Sequence, residues 1–391
     1  MNARIPFFLH DLGRAEAAAF ENALLDPILT TGEAVARFER RFAETLGRRH
    51  AIAVQSCTAA LQLSLQALGV GPGDEVITTP LTFIASSTAI LQAGATPVFV
   101  DVEPETGNID ASRIERAITA RTRAILPVHL YGQMCDMRAL RAIADAHDLR
   151  IVEDAAHCVE GRRDGIGPAQ LGEAACFSFY ATKAITCGEG GAIVTDDDAL
   201  AERLRRVRMH GMTKAAADRA REGYQHWDMV EFGWKYNLDN LHAAILLPQL
   251  ARLEANLARR RELAAEYERA LAGVPGLTWP MTLPGVEHAR HLFTAWVREG
   301  RRDELIAGLQ TRGIGAMVNY RAIHLLSYFR ERFGHTRGAF PNAERIGDET
   351  VSLPLYPRLT PAEVRTVARA IGDVLGGTAA ERDRALAPAL P

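Results

Sequence analysis

Lysine is nearly missing from this chain. Of its 45 basic residues only Lys183, Lys214 and Lys235 are lysines, which leaves 42 arginines. Arginine serves wherever a positive charge or an ion pair is all that is wanted. It cannot serve where an amine must lose its proton and attack a carbonyl, because guanidinium does not deprotonate in a protein. Each surviving lysine is therefore a candidate for amine chemistry. Cysteine is also sparse. Cys57, Cys135, Cys158, Cys176 and Cys187 form an odd set without CxxC spacing, which argues against a disulfide framework or a zinc site. No window approaches the roughly 18 consecutive apolar residues of a spanning helix, and the apolar run near Met1 is too short for a signal peptide. A net charge of −3 and a pI near 6.5 exert no long-range pull on nucleic acid or an anionic membrane. The glycine fingerprint of a dinucleotide turn, the NTPase phosphate loop, the HExxH helix and the GxSxG elbow are all missing. Adjacent Glu153 and Asp154 alternate faces on a strand, so they do not form a glycosidase pair by proximity alone. These absences point to a cytoplasmic protein with no metal, no membrane span and no nucleic-acid partner.

What is present is ordinary for a soluble enzyme: 48% hydrophobic and 24% charged residues over a length of 391, enough for two or three units. Helical and strand patterns alternate. Helices are predicted near 14–25, 33–46, 58–68, 83–93, 136–147 and 198–208. Short Val/Ile/Phe-rich strands are predicted at 51–54, 75–78, 97–100, 124–128, 150–152, 175–179 and 192–195. Strands of four to six apolar residues spaced by helices indicate βαβ units around a mostly parallel, buried sheet. One long helix is expected at 239–272. A smaller α+β segment follows, with strands near 292–298 and 314–318 and helices near 302–312 and 361–376. The boundary is placed at 250, giving a large domain (1–250) and a small one (251–391), with a tail after Gly376 expected to fray.

In an open α/β sheet, ligands sit where strands end and helices begin. Gln55-Ser56-Cys57-Thr58-Ala59-Ala60 follows a strand and opens a helix, which suits an anion or simply an N-cap. Asp154 ends another strand. It suits either a salt bridge to a pyridinium nitrogen or a helix cap, and His157 three residues on suits either a ring substituent or the core. Phe83 stands at a loop-to-helix junction, placed to stack on a flat ring or to fill core. Ser178 is a second candidate phosphate donor, five residues before Lys183. Lys183 itself follows the apolar strand Cys176–Phe179 and precedes Gly188-Glu189-Gly190-Gly191, a context that suits a buried Schiff-base lysine.

Taken together, these pieces resemble the DegT/DnrJ/EryC1/StrS family of sugar aminotransferases, in the aspartate aminotransferase-like, fold type I group of pyridoxal-phosphate enzymes. The matching pieces are Gly71-Pro72-Gly73-Asp74-Glu75-Val76-Ile77, Thr96–Val102, Glu153-Asp154-Ala155-Ala156-His157, and Phe177-Ser178-Phe179 with Lys183 and Gly188–Gly191. Lys235–Leu238 and Tyr328–Phe333 look like the branch that aminates a UDP-linked 4-keto sugar. The resemblance implies a large domain with a mostly parallel seven-stranded sheet and a small α+β C-terminal domain. It implies pyridoxal 5′-phosphate joined to Lys183, with Asp154 on the ring nitrogen, Phe83 on the ring face and His157 at the ring's polar edge. Thr58, Ala59 and Ser178 would hold the phosphate. Lys235 or Asn237 would reach the partner's phosphate in a homodimer with shared active sites. The sugar side would involve Thr30, Thr31, Gly32, Tyr180, Asn319, Tyr320, Arg321 and His324. Tyr180 and Asn319 stand where that UDP-sugar branch carries histidines.

The implied reaction moves an amino group from L-glutamate to a nucleotide-linked keto sugar. Two same-fold alternatives are a keto-cyclitol aminotransferase and a sugar dehydratase. The dehydratases carry histidine where this chain has Lys183. A third alternative is a non-catalytic binding or regulatory protein that retains the fold.

Overall fold

The computed structural model describes residues 4–213 and 226–376. Lys214 and the tail after Gly376 lie outside the described residues. Two helices, α1 (Arg14–Leu24) and α2 (Glu33–Leu46), precede β1 (His50–Val54) and α3 (Cys57–Ala67). Next come β2 (Glu75–Thr78), α4 (Ile84–Gln92), β3 (Thr96–Phe99) and β4 (Thr122–Leu126). Then follow α5 (Met137–Ala146), β5 (Arg150–Asp154), β6 (Ala174–Ser178), β7 (Gly191–Thr195) and α6 (Asp198–Val207). The seven strands form one sheet in the order β1-β7-β6-β5-β4-β2-β3. All neighbours are parallel except β7, which runs antiparallel to both β1 and β6.

Strand periodicity explains the layers. Ile52, Val54, Val152, Cys176 and Ile193 face one way and pack with Leu61, Leu65, Leu200 and Leu204 of α3 and α6. Their alternates Ala53, Phe177 and Val194 face the other way, against Phe38 and Phe42 of α2. Ile77, Ile125 and Ile151 meet Leu140 of α5 on that same side. A sheet buried on both faces needs apolar residues at every position, and β6 and β7 are buried throughout.

The expected long helix is in fact two, α7 (Asn240–Leu250) and α8 (Leu253–Leu271). Pro248 lies inside the first; it removes one intrahelical hydrogen bond and crowds the preceding turn. The chain then turns at Ala251 and Arg252. Beyond α8, β8 (Phe293–Val297), α9 (Arg302–Thr311), α10 (Ser327–Phe333), α11 (Pro341–Glu349), β9 (Thr350–Leu353) and α12 (Pro361–Leu375) complete the chain. Strands β8 and β9 pair antiparallel, and their core includes Tyr267, Leu309 and Ile371. Ile5 joins that core as well. The strand expected at 314–318 is replaced by isolated bridges, Ile314 to Ile5 and Met317 to Ser352. Gly313 holds a φ of +74°, and a Cβ on Gly315 would come within 2.3 Å of the Phe7 main-chain nitrogen. The two glycines thus let the N-terminal segment lie against this stretch in place of a regular ladder. No helix among the described residues is long and apolar enough to cross a membrane.

Candidate active site

The C-terminal ends of β1, β5 and β6 converge on one cleft. The register Val54–Gly191–Ser178 lays the ends of β1 and β6 on either side of the start of β7. Gly191 makes this approach possible: a Cβ there would sit 2.5 Å from the Ser56 carbonyl carbon and 2.6 Å from the Cys57 nitrogen. The N-terminus of α3 is thereby drawn up beside Ser178. Ser56 is the N-cap, accepting from Ala59 N–H at 3.1 Å. The capping reading of this segment therefore applies to Ser56. Thr58 is half-buried, and its hydroxyl lies in the first turn, where the helix dipole favours an anion.

Asp154 ends β5 and is buried. Its Oδ2 accepts from Ser86 Oγ at 2.7 Å and its Oδ1 from Ala156 N–H at 3.1 Å. Burial pushes its carboxyl up; the Ser86 and Ala156 hydrogen bonds and the Lys183 charge oppose that without cancelling it. Lys183 follows β6, its main-chain N–H bonded to the Tyr180 carbonyl at 2.9 Å. Desolvation pulls its amine down to about 8, against the opposing pull of Asp154. An amine in that range is partly neutral near physiological pH and serves as base or nucleophile. Gln249 of α7 braces the following turn, exchanging hydrogen bonds of 2.9 and 2.7 Å with the main chain of Thr186.

His157 is buried, and burial reinforced by the Lys183 charge pushes its imidazole well below the usual range, so it is neutral. Its ring is nearly parallel to that of Tyr320, centroids 5.9 Å apart at 12°, and lies against His291 at 4.4 Å. Phe83 is the N-cap of α4, 54% exposed, with its ring 5.9 Å from that of Tyr320. Behind Lys183 a small cavity is walled by His10, Asp11, Gln249, Arg260, His291 and Tyr356.

The remaining expected residues lie in three other places. Lys235 and Asn237 run beside the end of β1, with Lys235 Nζ donating to Asn237 Oδ1 at 2.7 Å. Asn237 in turn donates to Thr31 Oγ1 at 2.8 Å and approaches Thr30 Oγ1 at 3.4 Å. These four form a cluster of their own. Gly32 serves packing: a Cβ would meet Asn240 Nδ2 at 2.7 Å, and buried Asn240 accepts from the Gly32 and Val35 N–H groups at the start of α2. Tyr180 is exposed just past β6. The Asn319 main-chain carbonyl accepts from Tyr131 Oη at 2.8 Å, and its side-chain Oδ1 is buried with no partner among the described residues. Arg321 is exposed. His324 is not brought to the cleft. It is fully buried, its Nε2 2.9 Å from Glu344 Oε1 and its ring edge-on to Phe340 at 4.8 Å, while its Nδ1 has no partner among the described residues.

Ser86, Tyr131, Gln249 and His291 were not singled out by sequence, and Gly191 was read only as part of the glycine-rich run after Lys183. Ser86 carried a usable signal, one turn into the helix that Phe83 opens; the others act through main-chain approach or long-range packing.

A family model described as the DegT/DnrJ/EryC1/StrS aminotransferase family matches residues 10–372. The chain is 41% identical over 382 residues to the spore coat polysaccharide biosynthesis protein SpsC of Bacillus subtilis, covering 96% of this chain and 98% of that one. Among solved structures it is similar to DesV of S. venezuelae, with a TM-score of 0.89 and 39% identity over 96% of this chain and all of that one. It is also similar to PseC of Helicobacter pylori, an aminotransferase involved in the biosynthesis of pseudoaminic acid, with a TM-score of 0.89 and 27% identity. There the shares covered are 96% of this chain and 100% of PseC.

Proposed function

The chain belongs to the DegT/DnrJ/EryC1/StrS aminotransferase family, and from that premise we propose that it transfers an amino group from L-glutamate to a nucleotide-linked keto sugar, taken to be a UDP-linked 4-ketose. It is an enzyme, a pyridoxal-phosphate-dependent sugar aminotransferase of fold type I, which sets aside the non-catalytic alternative. Lys183 speaks against the dehydratase alternative.

The residues present fit the cofactor. The start of α3, drawn against Ser178 by Gly191, suits a phosphate held by Thr58, Ala59 and Ser178. Buried Asp154, fixed by two donors, suits a protonated ring nitrogen. When bound, pyridoxal phosphate supplies an aldehyde that stores the amino group and a ring that serves as an electron sink. The chain's own contribution is then specific. Lys183 Nζ takes a proton from the amine-bearing carbon of the donor and returns one to the sugar carbon. Asp154 keeps its negative charge against the ring nitrogen, and Phe83 covers a ring face. The arrangement that carries this reading is the convergence of Lys183, buried Asp154 held by Ser86 and Ala156, and the start of α3 drawn beside Ser178.

A homodimer with shared sites accounts for the placement of Lys235 and Asn237. They stand with Thr30 and Thr31 at the edge of β1, and Leu25, Met229 and Phe232, near these residues along the chain, are exposed. A second copy seated there would receive those polar groups at its own cleft. With no membrane-crossing helix among the described residues, the cytoplasm is the compartment proposed.

Purified protein supplied with pyridoxal phosphate is expected to show a visible-to-near-UV band that L-glutamate discharges with release of 2-oxoglutarate. A panel of UDP- and dTDP-linked amino sugars, with an amino-cyclitol as control, then identifies the sugar by which member discharges the band. Wild-type protein that stays colourless, or a band that only the cyclitol discharges, would overturn this reading.

A further inference from the structure

The recess behind Lys183 has a volume of about 30 Å³. A single water needs roughly 10–15 Å³ measured this way, so the space takes about two oxygen-sized groups and cannot take a sugar ring. Its walls come from the N-terminal segment, the turn at Lys183, α7 and α8, His291 and Tyr356. Several of the polar groups there are already committed. Gln249 exchanges hydrogen bonds with Thr186 and also donates to the Ile245 carbonyl. Asp11 Oδ2 accepts from Asn256 Nδ2 at 3.2 Å and lies 3.5 Å from Arg252.

Three buried donors in the same walls are not committed. Arg260 is 3% exposed. Its Nη2 donates to Glu160 Oε1 at 2.5 Å, and Nε and Nη2 both reach the Ala289 carbonyl, while Nη1 has no partner among the described residues. The Tyr356 hydroxyl and the His291 ring nitrogens likewise have none there, and both side chains are buried. Burial, and then the neighbouring His157, Lys183 and Arg260, push the His291 imidazole well below the usual range, so it is neutral with one N–H to give. Buried donors left unpaired are costly. Three of them lining one recess mark a place for an acceptor that the chain does not supply. One of the three belongs to a guanidinium, whose planar fork matches the two oxygens of a carboxylate.

We propose that this recess seats the α-carboxylate of the amino donor, with Arg260 and Tyr356 as its recognition residues. The inference deepens the aminotransferase reading and rests on it. Lys183 lines the recess, and the carbon from which it takes a proton bears the α-carboxylate directly. The γ-carboxylate stands two carbons farther along the chain, and the recess has no room for both. The amino sugar meets the same lysine but has no carboxylate to place there. The recess therefore serves one half-reaction and not the other.

Discharge of the absorbance band of the pyridoxal phosphate-loaded protein follows each half-reaction separately. Tyr356→Phe removes one donor, and Arg260→Lys removes the fork while keeping a cation for Glu160. Each is expected to raise the half-saturating concentration of L-glutamate about tenfold or more. Half-saturation by whichever UDP- or dTDP-linked amino sugar discharges the wild type should stay unchanged, as should the dissociation constant for pyridoxal phosphate. Wild-type protein tests the same point without substitution: 4-aminobutyrate, which keeps the γ-carboxylate but lacks the α, should require at least about a hundredfold more than L-glutamate. Equal losses for L-glutamate and the amino sugar would overturn the proposal and leave Arg260 and Tyr356 as packing around water. Equal potency of 4-aminobutyrate and L-glutamate would overturn it as well. A wild type that forms no band, or whose band no amino sugar discharges, fails the aminotransferase reading itself.

Discussion

At the scale of single residues, the arginine bias did the sorting. With 42 arginines among the 45 basic residues, Lys183, half-buried in a cleft with Asp154, stands out as the candidate for neutral-amine chemistry. Its lowered pKa has a signed consequence. The reactive neutral amine appears as pH rises, so in cofactor-free protein the rate of pyridoxal phosphate attachment should climb with pH and reach half its plateau near 8. A midpoint near the ordinary 10.5 would mean that the side chain is solvated. Lys183→Arg should abolish the absorbance band altogether, although it keeps the charge, since guanidinium cannot form the neutral nucleophile. Ser86 offers a finer probe. Its hydroxyl is the hydrogen bond that most lowers the Asp154 carboxyl against burial. Ser86→Ala should cost about 1 kcal/mol, roughly a fivefold fall in kcat/KM. It should also move the acid limb of the pH–rate profile to higher pH, because Asp154 then protonates more easily. An unchanged profile would separate Asp154 ionisation from catalysis.

At the scale of elements, the cleft depends on how closely β7 and α3 can approach. Gly191→Ala would place a methyl group 2.5 Å from Ser56 main-chain carbon. Both contacts are backbone, so neither yields by a rotamer change. The expected cost is about 3 kcal/mol of stability, seen as a lowered denaturant midpoint, with weaker pyridoxal phosphate binding than stability alone explains. A variant that unfolds earlier but binds cofactor normally would show that the start of α3 does not hold the phosphate. The same glycine shows what the sequence could and could not reveal. The strand carrying it was legible from its apolar run, and so were most helices to within a residue or two, because period-2 and period-3.6 burial both leave marks in one dimension. That Gly191 separates Ser56 from Ser178 was not legible, since it depends on pairing between strands 137 residues apart in the chain, as Val54 and Gly191 are. The same limit hid the break between α7 and α8, where helical residues continue on both sides of the turn, and the loss of the strand at 314–318 to the incoming N-terminal segment.

At the scale of the whole molecule, the proposed dimer turns on Lys235 and Asn237. Lys235 and Asn237 are chemically suited to phosphate but are tied to Thr30 and Thr31 at the edge of β1. Close to these residues along the chain, large apolar side chains are exposed: Leu25 is 84% and Phe232 70% accessible, with Met229 and Val230 also exposed. Exposed apolar side chains grouped beside polar residues mark an association surface, and stable association requires on the order of 1,000 Å² or more of buried area. If that surface is where two copies meet, Phe232→Asp should shift the protein from dimer to monomer in sedimentation while the circular dichroism of the single chain persists. Placing a charge in a dry interface is costly unless it finds a partner. Activity should fall in step with dimer content, and raising the protein concentration should restore both together. Lys235→Ala and Asn237→Ala give the complementary result, with dimers intact and pyridoxal phosphate bound more weakly. Mixing either with Lys183→Ala should then regenerate one complete site per hybrid dimer, up to about a quarter of wild-type activity for random pairing. That figure follows from counting: random mixing makes half the dimers hybrid, and each hybrid holds one intact site of two. Inactive mixtures that still exchange subunits would show that each cleft is complete within its own chain.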